Sequence, residues 1–322
     1  MSNNPNKSST CVATIGFFDG VHRGHQFVIG SLARLAHQRG TQSVVVTFDR
    51  HPREVLSTNE QHPLCQPLTT LSQKQQLILA AGADRCEVLH FDLALAALSA
   101  RTFMDTVLRQ QLGCEALLIG YDNRFGHRDA DSTEGFNDYV AYGRQLGIEV
   151  IQATPCPGAE ATSSSFVRRM LREGQLAQAN QSLGRPYSIT GRVVHGHAEG
   201  RKLGFPTANL SPQSIPQLIP ASGVYAVTAT LGDATASTTI PAMLNIGSRP
   251  TFNGHEVSIE AHLFDFHADL YGQQLTLSFH ERIREERPFD SPESLRLQLE
   301  KDKAQVQQIL QQPPDSKLET RN

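Results

Sequence analysis

Hydrophobic and polar positions alternate in two different ways along the chain. From Cys11 to about Ala153, the short apolar runs CVATIG, SVVVTF, CEVLHF and ALLIG are separated by segments with helical periodicity, such as Phe27 to Gln38 and Leu71 to Ala80. This alternation is typical of β-α units around a parallel sheet, because each strand is buried on both faces and helices cover those faces. The first half is therefore predicted to be an α/β domain with a parallel sheet.

The second half has closely spaced strand candidates with Gly or Pro turns between them. From Tyr187 these are YSITGRVVHG, GVYAVTATLG, TTIPAMLNIG, VSIEAHLF and QLTLSFH, a series that predicts a small antiparallel β-barrel. Two helical patterns precede it, and Gly184 and Pro186 act as breakers between them and the first strand. We therefore predict one domain over residues 1–184 and a second over residues 185–322.

A C-terminal helix is predicted for the stretch SPESLRLQLEKDKAQVQQIL. Ser291 can cap it, and proline is well suited to its first position. Apolar residues recur on one face of the helix at Leu295, Leu299, Val306 and Leu310.

Charge and cysteine content narrow the classes of function. The formal net charge of the 322 residues is -3, from 29 basic and 32 acidic residues, which favours neither nucleic acid nor an anionic membrane as a partner. The five cysteines are scattered without a C-x-x-C pair, which is typical of a reducing compartment. Neither a signal peptide nor a membrane-spanning segment is evident, so we expect a cytoplasmic protein of undetermined oligomeric state.

The stretch TIGFFDGVHRGHQ begins where the first apolar run ends. In open α/β sheets, ligands bind at the carboxyl ends of the strands, where helix N-termini present N–H groups to anions. Gly16 and Gly20 permit a tight turn there, and the imidazoles of His22 and His25 can donate to phosphate oxygens. Isolated histidines near a helix start are also common at surfaces, so the residues alone leave both interpretations open. A zinc site is disfavoured, since no third ligand is evident nearby.

The second half contains a glycine-rich stretch, GHAEGRKLGFPTANL. Its glycines let backbone N–H groups approach phosphates, and Thr207 and Asn209 offer the oxygen ligands that Mg²⁺ prefers. A glycine-rich barrel loop with a buried threonine explains the same residues. In VSIEAHLFDF, strand alternation places Glu260 with His262 and Phe264 on one face, opposite an apolar series. Glu260 is then either a base for phosphoryl transfer or a solvated residue of an amphipathic strand.

The first half resembles the flavin-adenylylating branch of the nucleotidylyltransferase superfamily. The resemblance rests on GFFDGVHRGHQ, VVVTFDRHP, LLIGYDNRFG and SSSFVRRML, which occur in the order that this branch has. It implies a Rossmann-like domain in which His22 and His25 hold ATP phosphates and Arg168 assists catalysis. It further implies that ATP or its phosphates contact Gly16, Phe17, Asp19, Gly20, Asp122, Arg124, Ser164 and Ser165, and that flavin contacts Phe125 and Gly126.

The second half resembles bacterial riboflavin kinases. The segments GRKLGFPTANL, GVYAV, LNIGSRPTF, IEAHLFDFHADLYG and RIREERPFDSPESL carry the resemblance, which extends from Tyr187 to Leu310. It implies that Thr207 and Asn209 coordinate the Mg²⁺ of bound ATP and that Glu260 is the general base. It also implies phosphate contacts by Gly200, Arg201 and Gly204. Arg249 and Arg284 are candidates for flavin contacts, although surface salt bridges explain them nearly as well.

Together the two resemblances imply a bifunctional enzyme with riboflavin, FMN and ATP as its small-molecule substrates. One domain would phosphorylate riboflavin to FMN, and the other would adenylylate FMN to FAD and pyrophosphate. Departures from the family pattern at Phe17, Asn123 and Phe166 leave open a kinase whose adenylyltransferase domain is inactive. A flavin-binding sensor without turnover is a further alternative, and retention of Thr207, Asn209 and Glu260 disfavours it. An adenylyltransferase for another phosphate ester would leave the second half unexplained.

Overall fold

The computed structural model describes residues 10–56, 66–120, 125–127, 134–158, 162–196, 199–232, 239–251 and 254–311. It contains two compact units, Met1–Ser163 and Ser164–Asn322. In this division the helices of residues 164–183 group with the barrel, since Leu171 and Asn180 bond to residues of the barrel part, while the predicted domain boundary at residue 184 stays a prediction. Ala221 N–H donates to Leu171 O at 3.0 Å, and the Asn180 amide donates to Phe279 O at 2.8 Å.

The first unit alternates strands and helices, as the sequence predicted. Its strands are β1 (Cys11–Ile15), β2 (Gln42–Phe48), β3 (Arg85–Leu89), β4 (Cys114–Ile119) and β5 (Glu149–Gln152). Its helices are α1 (Arg23–Arg39), α2 (Pro52–Leu56), α3 (Leu71–Ala80), α4 (Leu93–Ala96), α5 (Ala100–Phe103) and α6 (Phe136–Leu146), with a 3₁₀ turn at Asp19–Val21 and a π-helix at Met104–Gln111.

These strands form a parallel sheet in the order β3-β2-β1-β4-β5. The central strand β1 is buried along its whole length, which explains its uninterrupted apolar sequence. Strand order reverses direction between β1 and β4, and in open α/β sheets this switch point is where ligands bind. The predicted α/β class is confirmed, and the TIGFFDGVHRGHQ stretch leaves β1 at this point.

The second unit contains the barrel. Its strands are β6 (Tyr187–Val194), β7 (Ala208–Leu210), β8 (Gly223–Leu231), β9 (Thr239–Thr251), β10 (Gly254–Leu263) and β11 (Gln274–Arg284). Its helices are α7 (Ser164–Arg172), α8 (Leu176–Leu183), α9 (Glu199–Lys202) and α10 (Pro292–Gln311), with a 3₁₀ turn at Pro212–Ser214. Among the residues described, the strands close in the order β10-β7-β6-β11-β8-β9, so the predicted antiparallel barrel is confirmed.

Helix α10 covers part of the outer face of the barrel. Val306 is fully buried against a cluster that includes Val224, Met243 and Phe264, while Leu299 and Leu310 pack at its edge. The apolar face predicted from the sequence is therefore the face that docks. In the part of the chain that the structure describes, no helix combines the length and the apolarity that a membrane span requires.

Candidate active sites

The turn that follows β1 has an unusual backbone. Gly16 N–H donates to Val46 O of the neighbouring strand at 3.0 Å, and the chain then turns through Phe18, Gly20 and Val21, which have φ angles of 52°, 76° and 38°. This left-handed region suits glycine at residue 20, but it is costly for a β-branched valine. Strain of this kind persists only where the surroundings enforce it, and it is concentrated at functional sites.

His22 and His25 lie side by side at the start of α1. Their rings stack with centroids 3.6 Å apart, and the His25 N–H donates to His22 Nδ1 at 3.4 Å, which makes His22 the N-cap. Nδ1 of His25 is buried without a partner among the described residues. Burial, followed by the like charges of His22 and Lys74, holds the pKa of His25 well below its usual value. His25 is therefore a neutral imidazole at pH 7, with one buried ring nitrogen that no described residue satisfies.

The carboxylate of Asp19 forms hydrogen bonds with the segment before α3. Its carboxylate accepts the Leu68 N–H at 2.9 Å and 3.1 Å and the Thr69 hydroxyl at 3.4 Å, and Thr69 in turn accepts the Gly20 N–H at 3.3 Å. These bonds hold the turn from the side of the segment before α3. The structure thus gives Asp19 a role in shaping the turn, while its predicted contact with ATP stays a prediction.

Lys74 is a residue of this site that the sequence analysis missed. Its ammonium group donates to Phe17 O and Phe48 O, and the side chain is 3% exposed. The one sequence feature that pointed to its burial is its position four residues before Ile78, which places the two residues on the same face of α3. Phe17 itself supplies an acceptor carbonyl and a ring face to Lys74.

Of the segment from Asp122 to Gly126, which the sequence analysis assigned to the adenylylation site, the structure describes only Phe125 and Gly126. Asp122, Asn123 and Arg124 lie outside the described residues. Phe125 stacks on Tyr139 with ring centroids 4.6 Å apart, and Gly126 lies against the backbone of Ala100.

Ser164, Ser165 and Arg168 belong to the second unit. The two serines begin α7, and Arg168 is 6% exposed. Phe166 is in the same helix, and the guanidinium of Arg169 lies 5.3 Å from the centre of its ring.

In the barrel, Glu260 lies between two asparagines. It is opposite Asn209 of β7 on one side and Asn245 of β9 on the other, so the three side chains share one face of the sheet. His262 and Phe264 follow on this face, and Phe264 is buried beneath α10. The face that the sequence predicted for Glu260 is therefore the outer face of the barrel, close to the helix.

Two cavities have Thr207 in their walls. The larger has a volume of about 710 Å³ and contains Glu260 in its wall, together with Gly200, Phe205, Met243, Asn245, Phe289 and Leu299. The smaller has a volume of about 360 Å³, and its wall includes Arg201, Phe266, His267 and Tyr271. Thr207 lines both cavities. A bound molecule in each would be adjacent at this threonine.

The segment from Gly200 to Pro206, which precedes Thr207, makes close contacts within itself and with His262 of β10. A Cβ on Gly200 would lie 2.3 Å from Phe205 O, so only glycine permits this approach of α9 to the strand that follows. His262 Nδ1 lies 2.7 Å from Pro206 O and, because a carbonyl only accepts, it must carry the proton. Burial lowers the pKa of His262, which keeps the ring neutral at pH 7. The sequence analysis missed this contact, because residues 206 and 262 are distant in the chain.

The donors at Thr207 fit a magnesium ion. Asn209 Nδ2 donates to Thr207 Oγ1 at 3.5 Å, which brings the two side chains together, and a hydroxyl and an amide oxygen are ligand types that hard cations prefer. No group of three or more His, Cys, Asp or Glu residues suited to a metal is found within the described residues.

The two arginines predicted to contact flavin differ in what the structure shows. Arg284 lines the larger cavity, and its guanidinium pairs with Asp302 of α10, Nη2 to Oδ2 at 2.8 Å and Nε to Oδ2 at 3.0 Å. Asp302 is 1% exposed, so this ion pair attaches the helix to the barrel. The side chain of Arg249 is not among those described. A flavin contact by either arginine stays a prediction.

The fold and sites define a class of protein. A parallel α/β domain with two histidines at its switch point, followed in the chain by a barrel in which a glutamate lies opposite an asparagine, is the arrangement expected of a two-domain nucleotide-dependent transferase. A family model described as FAD synthetase matches residues 4–167, and one described as riboflavin kinase matches residues 183–310. The chain belongs to the family of bifunctional riboflavin kinases/FMN adenylyltransferases, and its two domains carry these two transferase activities.

Known proteins of this family are similar over nearly the whole chain. The bifunctional riboflavin kinase/FMN adenylyltransferase of Escherichia coli strain K12 is 37% identical over 295 residues, 91% of this chain and 90% of that protein. The protein of the same name from Bacillus subtilis strain 168 is 33% identical over 298 residues, 92% and 91% of the two chains. A crystal structure described as a macrolide-efflux protein from Streptococcus pneumoniae has a TM-score of 0.81 at 29% identity and covers 95% of both chains. The presence of both domains supports the bifunctional enzyme over a kinase alone or a flavin sensor.

Proposed function

We propose that the barrel phosphorylates riboflavin with Glu260 as the base, and that the first unit adenylylates the resulting FMN with phosphate contacts from His22 and His25. The observation that carries the kinase proposal is the position of Thr207 in the walls of both barrel cavities, with Glu260 in the wall of the larger one. Two substrates bound there would meet beside a carboxylate. This is the arrangement that phosphoryl transfer requires.

The larger cavity suits the flavin. Its wall includes the apolar side chains of Phe205, Met243, Phe289 and Leu299, against which a flat tricyclic ring system can be buried. Glu260 accepts the proton of the ribityl 5′-hydroxyl as that oxygen bonds to the γ-phosphorus of ATP. The bond from the γ-phosphorus to the bridging oxygen breaks, and ADP leaves with that oxygen.

The smaller cavity suits ATP. Arg201 contributes a positive charge to its wall, and Thr207 connects it to the flavin cavity. Thr207 and Asn209 would hold Mg²⁺, which when bound neutralises phosphate charge during the transfer. Gly200 lies beside Phe205 and Gly204 follows α9, so both shape the loop that leads to this threonine.

In the first unit, a phosphate oxygen of FMN attacks the α-phosphorus of a second ATP, and pyrophosphate leaves. Negative charge builds on the oxygens of the α-phosphorus in the transition state, and preorganised N–H donors stabilise it. His22 and His25 provide imidazoles at the carboxyl end of β1, beside the N-terminus of α1, where anions are favoured. The reaction needs no covalent intermediate with the protein. We further propose that it takes place in the cytoplasm, where Cys11, Cys86, Cys114 and Cys156 would stay free thiols.

A turnover assay with two starting substrates tests the proposal. Purified protein receives riboflavin with Mg-ATP in one reaction and FMN with Mg-ATP in another, and the flavins are separated by chromatography. FAD in both reactions, with FMN as an intermediate in the first, is the expected result. FMN without FAD would show that the adenylylation site is inactive, whereas unchanged riboflavin would contradict the kinase assignment. The double substitution His22→Ala, His25→Ala is expected to abolish FAD formation and leave riboflavin phosphorylation intact.

A further inference from the structure

Lys74 is a buried charge in the first unit that the reaction described above does not use. Its Nζ donates to Phe48 O at 2.7 Å and to Phe17 O at 3.1 Å, and it lies 4.1 Å from the centre of the Phe17 ring. Lysine is among the residues least often fully buried, because its ammonium group loses hydration. An apolar residue would pack α3 onto the sheet without that cost. The lysine therefore serves a purpose other than packing.

The two carbonyl groups belong to neighbouring parts of the catalytic edge. Phe48 is the last residue of β2, and Phe17 follows β1 at the beginning of the turn that leads to His22. Thr47 Oγ1 also donates to Phe17 O, at 3.0 Å. The ammonium group thus connects the carboxyl ends of two adjacent parallel strands at the position where ligands bind in such sheets.

The turn that Lys74 holds is strained at Phe18 and Val21, which have positive φ angles. Asp19 is bonded to the segment before α3, and Lys74 donates from within α3 itself. Burial lowers the pKa of Lys74 to about 8, and the carboxylates of Asp19 and Asp49 oppose this effect. Bonds from two successive parts of the chain therefore enforce a backbone that would otherwise relax.

We propose that Lys74 is a positioning residue for adenylyl transfer, which holds the Phe17–Val21 turn so that His22 and His25 face the phosphates of the nucleotide. Its side chain is 3% exposed and bonds to the turn, so it acts through the backbone that it holds. Its charge also acts on His25, where it adds to the effects of burial and of His22 in keeping the imidazole neutral. The inference rests on the function proposed for the two histidines.

The variant Lys74→Met tests this role, because it nearly keeps the length of the side chain and removes the charge and both hydrogen bonds of the ammonium group. Gln76→Met, an exposed position on the same helix, is the matched control. We expect kcat for FAD formation from FMN to fall about tenfold to a hundredfold, as misplaced catalytic groups do. The KM values for FMN and ATP should change less than about threefold, since substrate binding is largely retained. Riboflavin phosphorylation by the same preparations is the internal control and should be unchanged.

A second readout tests whether the charge of Lys74 acts on the site. NMR titration of the histidine rings should show a higher pKa for His25 in Lys74→Met than in the wild type, because a nearby positive charge has been removed. Gln76→Met should leave the His25 pKa where it is. An unchanged His25 pKa in Lys74→Met would contradict the influence of the ammonium charge on the site.

Lys74→Gln removes the charge but keeps an amide NH2 group as donor, and it is the second variant if Lys74→Met folds poorly. Wild-type kcat for FAD formation in any folded variant without the ammonium group would overturn the proposal. Parallel loss of both activities in both variants would also overturn it, because Lys74 would then act on the folding of the chain as a whole. A wild-type protein that makes no FAD from FMN would instead contradict the function proposed for the first unit.

Discussion

Glu260 and Asn209 are directly opposite each other in the antiparallel ladder between β10 and β7. The pairing places the proposed base beside a proposed magnesium ligand without any flexible loop between them. Asn245 occupies the corresponding position on the other neighbouring strand. Because strand pairing fixes these relationships, the chemistry at this face of the barrel depends on backbone register as much as on side-chain identity.

Glu260→Gln is expected to remove riboflavin phosphorylation selectively. Loss of a general base costs about a hundredfold or more in rate, while the amide preserves the size of the side chain. The kcat for FMN formation should fall by this amount, and FAD formation from added FMN should be unaffected. Glu293→Gln, an exposed residue at the start of α10, is the control and should keep both activities. Wild-type phosphorylation by Glu260→Gln would exclude Glu260 as the base.

Thr207→Val is expected to weaken the response of the kinase to magnesium. Valine has nearly the same shape as threonine and lacks the hydroxyl oxygen that we assign to the metal. The Mg²⁺ concentration for half-maximal riboflavin phosphorylation should rise about tenfold, in a titration at constant ATP. Thr276→Val removes a hydroxyl that pairs with Thr190 elsewhere in the barrel, and it should leave the magnesium response unchanged. An identical magnesium response in the Thr207→Val and Thr276→Val variants would contradict the assignment.

Asp302→Asn is expected to destabilise the second unit. Its carboxylate accepts from Arg284 and from the Gln298 amide, and neutralising it leaves a largely buried guanidinium without its counter-charge. The free energy of unfolding should fall by about 2 kcal/mol, measured by urea denaturation. Glu293→Gln breaks an exposed ion pair on the same helix and should cause no measurable loss. Equal stability of the two variants would show that the buried ion pair does not hold α10.

Acid should destabilise both units. Burial lowers the pKa of His25 in the first unit and of His262 and His280 in the second. Below about pH 6.5 the unfolded chain binds protons that the folded chain does not, so the free energy of unfolding falls as pH falls from 7 to 5. His280→Gln keeps a hydrogen-bonding group near Thr228 and cannot titrate, so thermal unfolding of the second unit should depend less on pH. His267→Gln, an exposed control in the same unit, should retain the wild-type dependence.

Local patterns predicted much of the fold correctly. Apolar runs located β1, β2 and β4, and the helical spacing of Leu299 and Val306 located the docking face of α10. Strand alternation assigned Glu260 and Phe264 to one face. Each of these properties depends on residues close together in the chain, so the periodicity of the side chains is sufficient to reveal it.

Other features of the sites were beyond sequence reasoning. In the sequence, Lys74 cannot be distinguished from an ordinary helix residue. Its contacts with the ends of β1 and β2 are seen only in the structure, where α3 packs over them. The sequence indicates Arg284 only as a candidate ligand contact. The structure shows in addition that it forms an ion pair with Asp302 of α10. Contacts of this kind join residues far apart in the chain, and the pattern around either partner contains no information about the other.

The amino-acid sequence by itself determined the two-domain organisation, the fold class of each half and the family, because strand and helix periodicity and short motifs are local properties. Only the tertiary structure decided that Asp19 bonds to Leu68 and Thr69, that Lys74 bonds to the turn before His22, and that Thr207 lines two cavities, one of which has Glu260 in its wall. These arrangements arise from strand register and helix docking, in which burial and hydrogen bonding select among pairings of distant segments that no single stretch of sequence specifies.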